Sequence, residues 1–308
     1  MGRKTLEFQI AERLGAMAVY KTKKTERKGT NAIVASYGTM DNYIRVGKQV
    51  GKAIYKEFGR LDLADIKTEH VQWYIDKLRS EGQSAETQNL ACAAMCKVLQ
   101  LPMSDIKRDK RHYTDITKGR TNEPAAPSND VERGSAAIGV RRSELMHLRV
   151  QDIVSRPEGL CAHVLRGKGG KEQYQLILPH NEAIVLNAIV GKAPTDYIIE
   201  REDIGGKENI HAFRRINARE AYAYFDGQLA ANGDIYRENI KHMCISRMVE
   251  FGVNPANNRD WKIIDRPYTS RPQNGTPSVT YNRLALMATS IFCLSHWRCG
   301  VAVRNYLT

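Results

Sequence analysis

GVRRSELMHLRVQDI, residues 139–153, is the stretch on which the reading of this chain turns. Leu145 and Leu148 fall on one helical face, and Arg141 stands just ahead of them beside Arg142. Alone, the pattern is a helix with an exposed arginine, since short patterns recur by chance. Its weight comes from three segments that follow in order: RGKGGKEQYQLILP (166–179), NIHAFRRINAREAY (209–222) and LSHWRCGVAVRNYL (294–307). They contribute Lys168, then His211 and Arg214, then His296 and Tyr306.

These residue types fit one chemistry. A phosphodiester passing through a pentacoordinate state needs its equatorial oxygens held by fixed cations. Arginine suits that task because its planar fork donates two parallel hydrogen bonds and never deprotonates. Arg141 and Arg214 can form such a clamp. Lys168, at a hairpin tip, can reach a groove and protonate the leaving oxygen, while His211 and His296 position the phosphate or relay a proton. Tyr306 supplies a phenolic nucleophile, and a covalent intermediate conserves the bond energy for rejoining. That route calls for no cofactor and no metal. Each piece also has a plainer reading: GKGGK as a turn with solvated lysines, His211 and Arg214 as a surface pair, Tyr306 as a packed aromatic. Order and combination lift the case above them.

Outward from Arg141, residues 162–179 read as a hairpin whose two glycines supply the positive φ of a tight turn. Asn209 to Phe225 and Ala285 to Leu294 read as helices. Upstream, TNEPAAPSND (121–130) marks the domain boundary, and residues 107–120 before it form the densest basic run. From Asp41 to Phe58, Tyr43, Gly47, Val50, Ile54 and Phe58 make an apolar stripe. Arg45, Lys48, Lys52 and Lys56 make a basic one on another face. Helices follow from Thr68, expected as an N-cap, and from Ser84. Residues 1–30 hold a short amphipathic stretch (Leu6, Ile10, Leu14, Met17) and a basic run from Lys21 to Lys28, read as an arm on a phosphate backbone or a solvated tail.

Charge agrees with a polyanionic partner. The 308 residues carry a net +13, and residues 1–120 alone hold 23 Lys+Arg against 14 Asp+Glu. No segment has the apolar length of a membrane span, and the N-terminus lacks a signal peptide's apolar stretch. The six scattered cysteines, without a CxxC, suit free thiols in a reducing cytoplasm, which is the expected location. Cys92 and Cys96 read as a buried helix face. Cys293, His296 and Cys299 have a zinc-like spacing but no clear fourth ligand.

In this order of motifs the chain resembles the tyrosine recombinases, the phage-integrase type of DNA breaking and rejoining enzyme. The family pattern is an arginine in a G-[Leu or Val]-R-x-S-E-L box, a lysine in a GKGxK hairpin, an HxxR helix, an LGH-like box, and a tyrosine nine or ten residues later. Arg141, Lys168, His211, Arg214, His296 and Tyr306 match it in order, and SAETQN (84–89) resembles the entry to the third helix of the family's core-binding domain. The resemblance implies a mainly α (α+β) fold. Over about residues 35–308 it implies a helical, SAM-like core-binding domain (35–120) ahead of a mostly helical catalytic domain with a small antiparallel sheet (121–308); residues 1–34 read from their own composition as a basic arm. It implies attack by Tyr306 to give a 3′-phosphotyrosine and a free 5′ hydroxyl. Arg141 and Arg214 would steady the phosphorane with help from the two histidines, and Lys168 would act as the acid. It further implies a homotetramer on two sites in double-stranded DNA, with accessory DNA-bending proteins as further partners, serving integration or excision of a mobile element. Arg45, Lys48, Lys52, Lys56, Lys107, Arg108, Lys110 and Arg111 are the expected DNA contacts.

Departures from the pattern are specific. Ser295 replaces the glycine of the LGH box, Arg215 stands where histidine is frequent, and the segment before Arg141 is short. His211 and His296 are 85 residues apart, so 230–280 reads as an insertion forming a surface loop over the DNA. Arg142 and Lys171 remain neighbours able to compete for the roles of Arg141 and Lys168. Two other classes therefore stay open: a DNA-binding relative without cleavage, and a strand transferase of the type IB topoisomerase or telomere-resolving kind.

Overall fold

Leu6, Ile10 and Leu14 recur at steps of four, and in the computed structural model they lie buried along α1 (Leu6–Ala16). The structure describes residues 4–19, 33–34, 36–111, 126–165, 167, 172–205, 209–270 and 277–307. The chain divides into two compact units, Met1–Ile116 and Thr117–Thr308.

In the first unit α1 packs on α2 (Tyr37–Phe58), so the segment Leu6–Ala16 is part of the first unit's core and not of an arm. The close approach has a cause in sequence. A Cβ at Gly47 would stand 2.7 Å from Ile10 Cγ2, and one at Gly51 2.9 Å from Ile10 Cδ1. Two glycines one turn apart thus make the groove that takes Ile10, whose full burial contributes about 1.5–3 kcal/mol. The basic run from Lys21 to Lys28 lies outside the described residues. On α2, Met40, Val50 and Ile54 face the core, while Phe58, expected among them, is 42% exposed and meets Trp73 and His70 edge-on.

In α3 (Thr68–Ser80), Thr68 is the first helical residue rather than the cap, and the Lys67 amide donates to His70 Nδ1 at 2.9 Å. Ser84 does cap α4 (Ala85–Leu99), its hydroxyl accepting from the Thr87 amide. Cys92 and Cys96 are buried on α4 with sulfurs 3.8 Å apart, and all six cysteines are buried and unpaired.

The second unit is helices around a three-stranded antiparallel sheet, so the fold is mainly α with a small sheet. α5 (Asp130–Ile138) and the short α6 (Arg142–Leu145) lead into β1 (Ile153–Arg156), β2 (Gly159–Val164) and β3 (Gln173–Leu176). Strand order is β1–β2–β3, with Ile153 opposite Ala162 and Cys161 opposite Leu176. The expected hairpin is β2–β3. Pro179, at the first turn of α7 (Pro179–Ile189), ends it.

α8 (Ile210–Glu250) begins at Asn209, whose Oδ1 accepts from the Ala212 amide, and is interrupted at Gly233 (φ 57°). Beyond that break Ile240, Cys244 and Met248 are buried with Phe225, Leu286 and Phe292. Residues 234–250 are therefore a helix with one face in the core rather than a surface loop. Their four-residue apolar spacing buries one helix face, and this overrides the Lys/Arg content.

A two-strand ribbon, β4 (Tyr268–Thr269) with β5 (Thr280–Tyr281), precedes α9 (Arg283–Ala288), a π-helical turn (Thr289–Cys293), α10 (Cys299–Ala302) and a second π-helical turn (Val303–Leu307). No helix of the described residues is long and apolar enough to cross a membrane.

Candidate active site

Gly139 is where the site begins. It ends α5 in the left-handed region (φ 71°) and lies against Asn217, whose amide donates to Ala136 O (2.9 Å) and Ala137 O (3.2 Å). A Cβ there would overlap Asn217 Oδ1 and Cγ. Gly139→Ala should therefore cost about 2–5 kcal/mol, from left-handed strain plus overpacking. Calorimetry should show a Tm lowered by roughly 5–15 °C, and an unchanged Tm would contradict this packing.

The turn made possible by Gly139 aims its carbonyl at Arg214, a wholly buried side chain of α8. Arg214 donates through Nη1 to Gly139 O, through Nη2 to Leu294 O at 3.0 Å, and through Nε to the Tyr306 hydroxyl at 3.4 Å. Burial pulls its pKa down. The nearby Tyr306 oxygen opposes that, and the Arg141 charge adds to it.

Arg141 caps α6, with its amide donating to Glu144 Oε2 (2.8 Å) and its guanidinium to Oε1 (2.6 Å). Burial pushes Glu144 up, but the Arg141 amide and the charges of Arg141 and Arg214 outweigh it and hold the carboxyl below its ordinary range. Glu144 thus orders the arginines as an ionised carboxylate and is not set up as a base. The neighbouring Arg142 donates to Gly205 O.

Tyr306, 4% exposed, sits in the second π-helical turn against Ala218, Leu294 and Ala302. The His211 ring lies 5.9 Å and the His296 ring 6.4 Å from its ring, centroid to centroid. The structure thus brings Arg141, His211, Arg214, His296 and Tyr306 together from three segments. Lys168, like Lys171, lies outside the described residues.

Ser295 has φ 54°, a conformation glycine takes freely and serine does not, and its hydroxyl is buried without a partner. Ser295→Gly should raise stability by about 1 kcal/mol and Tm by roughly 2–4 °C. Melting at or below the wild-type temperature would show that the hydroxyl is satisfied.

Two residues that sequence reasoning passed over seat the helix of Tyr306. Asp260 accepts from Arg283 Nη1 (2.8 Å) and from the Cys299 amide at the start of α10 (2.9 Å). Asp260 falls within the supposed insertion, and its partner lies 23 residues away, so no local signal marked it. Cys293 and Cys299 are buried, with the Cys293 thiol pushed by burial up to about 12, and no cluster of metal-ligating side chains occurs among the described residues.

In the first unit Arg45, Lys48, Lys52 and Lys56 are all exposed along α2, as are Lys107, Lys110 and Arg111. Arg108 is held inward, donating to Met103 O, Ile106 O and Asn89 Oδ1, and Arg111 pairs with Glu86 at 3.1 Å.

No family model matches the chain, and no curated protein matches it. Among solved structures, the chain is similar to the Tn1549 transposon integrase in complex with circular intermediate DNA. That match covers 75% of this chain and 89% of the other, at 12% identity and a TM-score of 0.36. It is also similar to XerA recombinase, over 76% of this chain and 87% of that one, at 16% identity and a TM-score of 0.22. Likeness at these TM-scores and identities carries no argument.

Proposed function

We propose that this protein is a site-specific DNA recombinase that cuts and rejoins duplex DNA through a 3′-phosphotyrosine on Tyr306. One observation carries the reading: a wholly buried arginine donates to the hydroxyl of a tyrosine flanked by two histidine rings, with Arg141 close by. Arg214 both fixes the phenol and presents a cation where charge develops on a phosphorane. His211 and His296 flank the phenol and assist at the phosphate, and Arg141, oriented by Glu144, completes the clamp. Lys168 serves as acid for the 5′ oxygen. A phosphate held in this way can be transferred to tyrosine by positioning and electrostatics.

The stripe of Arg45, Lys48, Lys52 and Lys56, with Lys107, Arg108, Lys110 and Arg111, grips the backbone. Of these, Arg108 and Arg111 already hold the first unit together and contribute least. The working form is a homotetramer on two DNA sites, assisted by DNA-bending proteins, and its task is integration or excision of a mobile element.

The deciding experiment incubates the protein with a nicked suicide duplex and looks for a covalent DNA adduct on Tyr306 by denaturing electrophoresis and peptide mass spectrometry. Sequence-specific binding without adduct would replace this reading by that of a non-cleaving DNA-binding relative. Sequence-independent relaxation of supercoiled DNA would point instead to a topoisomerase-like enzyme.

A further inference from the structure

Among the described residues of the second unit four arginines are buried, and three have evident acceptors. Arg214 has the carbonyls of Gly139 and Leu294 together with Tyr306. Arg247 has Glu158 and Tyr174 O, and Arg283 has Asp260 with the carbonyls of Arg266 and Pro267.

Arg215 is the exception. It is 8% exposed, its buried Nε has no acceptor, and no ion pair among the described residues answers its charge. A fold that buries a cation without an anion leaves a large electrostatic debt, and an anion arriving from outside would settle it.

Its place on α8 says where that anion would be. Residues four apart share a helix face, so Arg215 lies one turn beyond His211. Long helical side chains lean over the turn N-terminal to their own Cα, which carries the Arg215 guanidinium toward His211. The His211 ring is 5.9 Å from that of Tyr306. A guanidinium leaning this way would lie on the nucleophile's side of the helix.

Resting on the recombinase reading above, we infer that Arg215 is a DNA-phosphate ligand of the site. Its acceptor is a non-bridging oxygen of the backbone phosphate attacked by Tyr306 or of the one beside it. Arg214 has three donors committed to the protein and Tyr306, whereas Arg215 keeps its fork for the substrate.

The test compares the full chain with Arg215→Met in three measurements: melting temperature, salt dependence of duplex binding, and adduct formation on suicide duplexes. In the duplexes a neutral methylphosphonate replaces one phosphate at a time around the cut. A phosphate ligand predicts a Tm equal to or above wild type, because an unanswered buried charge has gone. It predicts adduct formation slower by about tenfold to a hundredfold and a salt slope shallower by about one. One methylphosphonate position should slow wild type and leave Arg215→Met unaffected, since the partner is already missing.

A lowered Tm with unchanged salt slope and no such position would overturn the inference and make Arg215 a structural residue. If wild type forms no adduct, the recombinase reading fails by itself. The salt slope and the methylphosphonate effect on binding then still decide for or against Arg215.

Discussion

Tyr306→Phe should abolish the covalent adduct on a suicide duplex while leaving duplex affinity within about twofold, because it deletes the nucleophilic oxygen and no charge. The ring stays packed against Ala218, Leu294 and Ala302, so the fold should survive. The variant loses the hydrogen bond from Arg214, which at 3.4 Å is long, and leaves a buried donor unmet. A stability loss of about 1 kcal/mol is expected. Peptide mapping supplies the check on chemistry. An adduct formed at the wild-type rate by the Phe variant would place the nucleophile elsewhere and end the case for Tyr306.

Replacing Arg214 should be nearly as damaging and harder to rescue. In Arg214→Gln the carbonyls of Gly139 and Leu294 lose their donors and the phenol loses its cation. About 2–4 kcal/mol of stability should go, with Tm falling by roughly 5–15 °C. Adduct formation should drop by about 10³-fold or more, as when an arginine finger or oxyanion donor is removed. Arg214→Lys keeps a charge but cannot reach three acceptors that diverge from one planar fork, so it should recover only part of the rate. Rates are to be taken below the variant's melting transition, so that lost folding is not counted as lost chemistry. Wild-type adduct formation by Arg214→Gln would remove this residue from the mechanism.

The parts legible in sequence were those written in local order. The four-residue spacings of α2 and α8, the Ser84 cap and the β2–β3 hairpin could all be read without tertiary information. So could the succession of the candidate site residues, although it could not show which atoms meet.

Other features depended on partners far along the chain. Leu6, Ile10 and Leu14 were visible as a stripe, but only Gly47 and Gly51 across the interface make them a core helix. β1 has four residues and α7 follows the hairpin with no strong polar face, so neither stood out. The half of α8 after Gly233 was masked by that glycine and by a charged composition, although Ile240, Cys244 and Met248 carry the helical period. Serine gives no hint of φ 54° at Ser295, because that conformation is imposed by its neighbours.

The seating of Arg214 has a consequence for the order in which the second unit assembles. Its three acceptors lie 75, 80 and 92 residues away in sequence, so none is within reach until most of the second unit has assembled. Contacts of such separation pay their loop-closure entropy before they are rewarded, and form late. A partly folded or misfolded chain would thus hold a tyrosine without its cation and a cation without its seat. Pulse-labelled hydrogen exchange during refolding should find the segment from Leu294 to Tyr306 among the last to gain protection. On the proposed function, the capacity to cut would be withheld until the fold is complete, an interlock made from two backbone carbonyls and a phenol.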